Sequence, residues 1–280
     1  MSPKRFRAEL RELLLELHWR QWCALGVAGQ VEPEEHWVID LEALVVSTLR
    51  LASTDPRLVQ RAREWLALNQ DWVSTARLRR ISRVFNSTSD SGALVQNAAF
   101  RGRTKVTRPV VTQPALLQLQ LRALLGMDVR ADVFGYLLFN RHGNSSSISR
   151  ALCVDQKRVY NVLERWNSAG FVRRTSGGYS LAPTAVPPAV AEARQCVEWL
   201  NWPATLSALA NLDGSMTSAG ADDEYVLASL ARDVTPLLDS QAAAVGVALP
   251  QANRYPGAAY LEPFIAAVID WLRRLTEPRS

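Results

Sequence analysis

Apolar residues recur at helical spacing along most of the chain, broken by short polar or proline-containing stretches, and this pattern predicts a mainly α protein. Ser2-Pro3 caps a helix running to about Trp22. Asp40 caps a second from Leu41 to Ala52, Asp55-Pro56 opens a third toward Leu68, and Ser74 begins a fourth, basic one toward Phe85. Further helices are predicted from Pro114 to Leu125, Asp132 to Asn140, Ser146 to Val154 and across 155–169. After the proline-rich break Ala182 to Pro188, helices return over Ala189–Leu200, Pro203–Leu212, Tyr225–Val245 and Ala258–Leu275, with the Gly-, Ser- and Asp-rich stretch 213–223 as a loop. Trp19, Trp22, Trp37, Trp65 and Trp72 fall at helical spacing and read as packing residues.

The helix over 155–169 has the clearest two-sided pattern. Val159, Val162, Leu163 and Trp166 fall at i, i+3, i+4 and i+7 and form one apolar stripe. The other face carries Gln156, Lys157, Arg158, Tyr160, Asn161 and Arg165. These side chains offer cations for phosphates, an amide able to bond an adenine edge, and guanidiniums able to bond guanine. Asp155 is a good N-cap and Gly170 a good C-terminal stop. Phe171 to Leu181 then reads as two short strands around Ser176-Gly177-Gly178, with Arg173 and Arg174 on one arm. Ahead of it, the helix 146–154 turns Ile148, Ala151 and Leu152 inward and Ser147, Ser149 and Arg150 outward.

The string Val159-Tyr-Asn-Val-Leu-Glu-Arg-Trp-Asn-Ser-Ala-Gly-Phe-Val-Arg-Arg174 resembles the segment from recognition helix to wing of winged-helix bacterial regulators, the MarR type among them. Ser146 to Leu152 resembles their second helix. The resemblance implies a central winged helix-turn-helix with a β-hairpin wing that binds double-stranded DNA, most often as a homodimer on a palindromic site. The predicted division is an N-terminal helical domain (1–85), a basic linker (86–113), the winged helix-turn-helix (114–182) and a C-terminal acidic helical domain (183–280). That last domain is expected to dimerise or to bind a partner protein.

Charge sharpens this picture. Residues 1–182 hold 26 Lys and Arg against 16 Asp and Glu, whereas residues 183–280 hold 6 against 11. The basic part suits an anionic polymer and the acidic part suits solvent, a partner or self-association. Arg77, Arg79, Arg80 and Arg83 form a second basic cluster for phosphates flanking a bound site, and the segment Arg101 to Arg108 is another candidate contact. The stripe Phe264, Val268, Trp271 and Leu272 favours either a cap on the same chain or a homodimer interface.

Catalysis and cofactors are not expected. His18, His36 and His142 lie far apart, and neither they nor Cys23, Cys153 and Cys196 show metal-ligand spacing. His142 reads as a phosphate or solvent contact, and Asp222-Asp223-Glu224 as an acidic helix start. Phosphate-binding glycine loops and the nucleophile-elbow pattern are missing from the sequence. With no long uncharged apolar run, the chain reads as cytoplasmic, nucleoid-associated and without a membrane span. The expectation is a sequence-specific transcriptional regulator. The alternative is a winged-helix scaffold in a multi-protein system, for example a defence or toxin-antitoxin system, and a nuclease or transferase with a scattered site is a weaker third.

Overall fold

Four capping side chains set the first four helices in the computed structural model, which describes residues 2–85, 106–218, 223–254 and 256–277. Ser2 accepts from the Arg5 amide ahead of α1 (Pro3–Ala24), and Asp40 from Ala43 ahead of α2 (Leu41–Arg50). Asp55 accepts from Arg57 and Leu58 ahead of α3 (Pro56–Asn69), and Ser74 from Arg77 ahead of α4 (Thr75–Val84). Such caps stabilise a helix by about 1 kcal/mol each, because they satisfy amides that have no partner inside the helix. Residues 86–105 lie outside the described residues, and with them Arg101, Arg103 and Lys105 of the basic segment. The description resumes at Val106, which bridges Val27.

Next come α5 (Leu117–Leu125), α6 (Val129–Phe139), α7 (Ser145–Leu152) and α8 (Gln156–Ser168). The antiparallel hairpin β1 (Val172–Thr175) and β2 (Gly178–Leu181) follows, then α9 (Pro188–Cys196), α10 (Trp202–Ser218), α11 (Glu224–Ala243) and α12 (Leu261–Thr276). The fold is mainly helical with one small hairpin. Three of the boundaries that differ from the sequence expectation have a plain physical cause. α6 starts at Val129 under an Asp128 cap, which leaves Asp132 inside its first turn. α9 stops at Cys196 because Glu198 turns extended and pairs with the segment 36–38, donating to the His36 carbonyl and accepting from the Val38 amide. α10 runs through the expected loop at Asp213 as far as Ser218, since Leu212 and Met216, one turn apart, are fully buried. Their burial, roughly 1.5–3 kcal/mol per side chain, outweighs a penalty of about 1 kcal/mol for Gly214 in the helix.

Helices expected in separate N-terminal and C-terminal domains share one buried core. Leu10, Leu14 and Leu17 of α1, Leu44 of α2, Trp65 of α3 and Ile81 of α4 belong to the same cluster as Leu209 of α10, Leu238 of α11 and Phe264 of α12. The stripe Phe264, Val268, Trp271 and Leu272 is fully buried there, so it is a cap on its own chain and not a surface for a second copy. Trp22 meets Trp65 edge-on with centroids 5.7 Å apart, and their indole N–H groups donate to Thr48 Oγ1 and the Leu25 carbonyl. His18 is also enclosed, with Nδ1 2.6 Å from the Leu14 carbonyl and Nε2 2.8 Å from Ser47 Oγ. Burial pushes its pKa down to about 4, against the opposing pull of the Leu14 carbonyl.

α6 carries apolar residues on two faces because it serves two smaller cores. Ala131, Phe134 and Leu138 pack with Leu117, Leu121, Val190 and Val197, while Val129, Val133 and Leu137 pack with Ile148, Leu152, Val159, Leu163, Val172 and Tyr179. A buried ionic network joins this part to the helical frame. Glu42 of α2 accepts from Arg77 of α4 at 2.6 Å and from Arg122 of α5 at 2.8 Å, and Arg122 also reaches Asp132 of α6 at 3.2 Å. Arg77 pairs with Asp40 as well and donates to the Leu152 carbonyl at the end of α7, 2.8 Å away. Burial pushes the Glu42 carboxyl up, but Arg122 and Arg77 reverse this and hold it at about 2. Arg77 therefore does not belong to the solvent-facing basic cluster in which its sequence placed it.

Candidate nucleic-acid interface

α7 begins with a reciprocal cap: the Ser147 amide donates to Asn144 Oδ1 at 2.8 Å, and the Asn144 amide donates back to Ser147 Oγ at 3.1 Å. Ser149 Oγ donates to the Ser146 carbonyl. Both serines are half-buried and their hydroxyls serve the helix, whereas Arg150 is exposed. Cys153 ends α7 in the left-handed region with φ 54°, and its thiol is pushed up to about 11 by burial. The chain then turns into α8 at Asp155, whose carboxylate accepts from the Arg158 amide at 3.1 Å and from Arg80 Nη2 of α4 at 3.1 Å. The amide bond first, and Arg80 after it, hold this carboxyl below its usual range.

α8 is fixed from one side only. Val159 and Leu163 are fully buried, Val162 and Trp166 are half-buried, and Trp166 meets Phe134 edge-on at 6.1 Å. Gln156, Lys157, Arg158, Tyr160, Asn161 and Arg165 are all exposed on the other side. Arg158 is committed: its Nη2 lies 2.6 Å from Asp128 Oδ1, a partner the sequence reading missed. Arg150, Lys157, Arg165 and Arg173 have no ion pair among the described residues. Gly170, at φ 76°, closes α8 by letting the Phe171 amide return to the Trp166 carbonyl at 2.8 Å and its own amide to Asn167 at 3.1 Å.

The hairpin is held against this helix by a further pairing. Gly143, between α6 and α7, exchanges both backbone hydrogen bonds with Tyr179, at 3.0 and 2.9 Å, and so acts as a one-residue third strand. Gly178 makes this approach possible: a Cβ there would stand 2.5 Å from the Gly143 carbonyl. The neighbouring Gly177 lies over the ring of His142, which is exposed and supports the turn. The Tyr179 hydroxyl donates to Glu164 of α8, and that bond raises the phenol's pKa. Arg174 lies over the same ring, 5.6 Å from its centroid, and Arg173 is exposed beside it. Glu164, one of three acids near the basic face with Asp128 and Asp155, is thus occupied in orienting the hairpin.

The structure brings Gln156, Lys157, Tyr160, Asn161 and Arg165 onto one exposed face and sets Arg173 and Arg174 on the adjoining hairpin. It turns the Ser147 hydroxyl to capping and the Ser149 hydroxyl to the Ser146 carbonyl, and ties Arg158 to an acid. The sequence reading began this helix at Asp132 and passed over Asp128, whose place directly ahead of an apolar helix was the signal that could have found it. The Gly143 bridge gave no such signal, because a single residue carries no strand periodicity. Among the described residues no three His, Cys, Asp or Glu side chains converge as metal ligands, and no helix is long and apolar enough to cross a membrane. In comparisons with known proteins, the chain matches no family model, no curated protein and no solved structure.

Proposed function

We propose that the protein binds double-stranded DNA sequence-specifically through a winged helix-turn-helix formed by α6, α7, α8 and the β1–β2 hairpin, and acts as a cytoplasmic transcriptional regulator. The observation that carries this reading is α8 itself. Its inner face is locked into a core, while Gln156, Lys157, Tyr160, Asn161 and Arg165 stand exposed together on the outer face. A helix entering a major groove needs this division, with amide and guanidinium groups for base edges and cations for phosphates. The hairpin, with Arg173 and Arg174, is the wing that follows the backbone or minor groove. A two-fold dimer on a palindromic operator belongs to the same reading.

A second reading has one observation in its favour. Tyr160 and Phe171 expose about half their surface on this module, and Tyr225, Val226 and Leu237 are exposed on α11, which suits a scaffold that docks proteins. The test is selection from random duplexes followed by titration across salt concentration. A regulator recovers a defined site and loses affinity steeply as salt rises. Recovery of no motif, with no binding at low salt, overturns the DNA reading in favour of the scaffold.

A further inference from the structure

α4 contains four arginines and no acid, and the structure divides them. Arg77 turns inward to Glu42 and Asp40, while Arg79, Arg80 and Arg83 are exposed. Arg79 and Arg83 are one helical turn apart and so project from the same side of α4. No ion pair to either exists among the described residues.

The position of this strip is fixed relative to α8. Arg80 reaches Asp155, the cap of α8, at 3.1 Å, and Arg77 holds the last turn of α7 through the Leu152 carbonyl. A cleft of about 210 Å³, lined by Ala76, Arg80, Met127, Asp155 and Arg158 among others, separates the two helices. α4 is therefore neither a loose arm nor part of the hairpin module. It belongs to the helical frame and is held beside the N-terminal end of α8 by the buried Arg77, with the exposed Arg80–Asp155 pair next to it.

We propose that α4 is a second duplex-DNA contact, in which Arg79 and Arg83 bind backbone phosphates flanking the segment that α8 reads. The inference rests on the DNA-binding reading above. Exposed arginines bound to phosphate add affinity without base preference, and each released counterion adds to the salt dependence. Arg80 is engaged by Asp155, and the buried Arg77 keeps α4 in place.

The test compares wild type with the double variant Arg79→Gln, Arg83→Gln on the selected site, once trimmed to its core and once with flanking duplex on both sides. On the flanked duplex the slope of log K against log salt becomes shallower by about 2, close to one for each lost phosphate contact. On the trimmed duplex the slope is unchanged, base preference is unchanged on both, and the melting temperature matches wild type because both side chains are exposed. An unchanged slope on the flanked duplex overturns the role of α4 while leaving that of α8 intact. An equal change on both duplexes overturns the flanking placement. A wild-type protein that binds neither duplex overturns the DNA reading and this inference with it.

Discussion

Two sets of cations serve the α6–α8 unit, a buried back set against the helical frame and an exposed front set on α8 and the hairpin. At the back, Arg77 and Arg122 are almost wholly enclosed and answer Glu42, Asp40 and Asp132 at hydrogen-bond distance. At the front, Lys157, Arg165 and Arg173 are exposed and have no ion pair among the described residues. The same residue types therefore hold the structure together on one side and remain available to a ligand on the other. Charge counted along the chain weights these two sets equally. Only their burial distinguishes a charge that cannot be removed from one that folding does not need.

The largest expected effect breaks the back set. Arg122→Met leaves Glu42 and Asp132 buried with one arginine fewer and lowers unfolding stability by about 3–5 kcal/mol, read from urea denaturation. A loss below about 1 kcal/mol would remove the distinction between back and front.

Next in size is an acid window that belongs to the core. The folded-state pKa of His18, about 4, lies below its unfolded value of about 6.5. The neutral ring therefore supports the fold above pH 6.5, and this support drains away as pH falls toward 4. The loss amounts to about 3 kcal/mol. His18→Gln flattens the stability profile in that window. Glu42 has the same sign lower on the scale: its contribution is present above the ordinary carboxylate range and is lost as pH falls toward about 2.

On the front face, Asn161→Ala leaves the melting temperature unchanged. Under the DNA reading it lowers discrimination at one base pair by about 1–3 kcal/mol, measured by competition between selected and altered duplexes. The smallest effect expected is that of Arg165→Ala on stability, within about 0.5 kcal/mol of wild type, while its affinity for the selected duplex falls. A large loss of stability there would show that the front set is structural too.

Helix starts and stripes were legible because capping and 3.6-residue periodicity are local. Ser2, Asp40, Asp55, Ser74 and Asp155 all cap the helices that their positions suggested. Arg77 was misplaced because its burial depends on Glu42, 35 residues away and itself set in an apolar run. An acid inside such a run was the one sign that a buried cation had to be nearby. The division into N-terminal and C-terminal domains failed for a related reason. An apolar stripe states that it must be covered but not by what, and α12 finds α1 across most of the chain length. The outer face of α8 was read correctly as exposed, but the Asp128 partner of Arg158 comes from a neighbouring helix that α8's own periodicity does not describe.

The shared core of α1 and α12 also sets an order of events during synthesis. The α6–α8 unit and its hairpin are built largely from contacts close in sequence and can settle once their own residues have emerged. α1 cannot complete its packing until α12 is made, more than 230 residues later, a wait of roughly 10–50 s at ribosomal speeds. During that interval the side of α1 that α12 covers stands open, so the nascent chain carries an apolar helix face that is among the last to be satisfied.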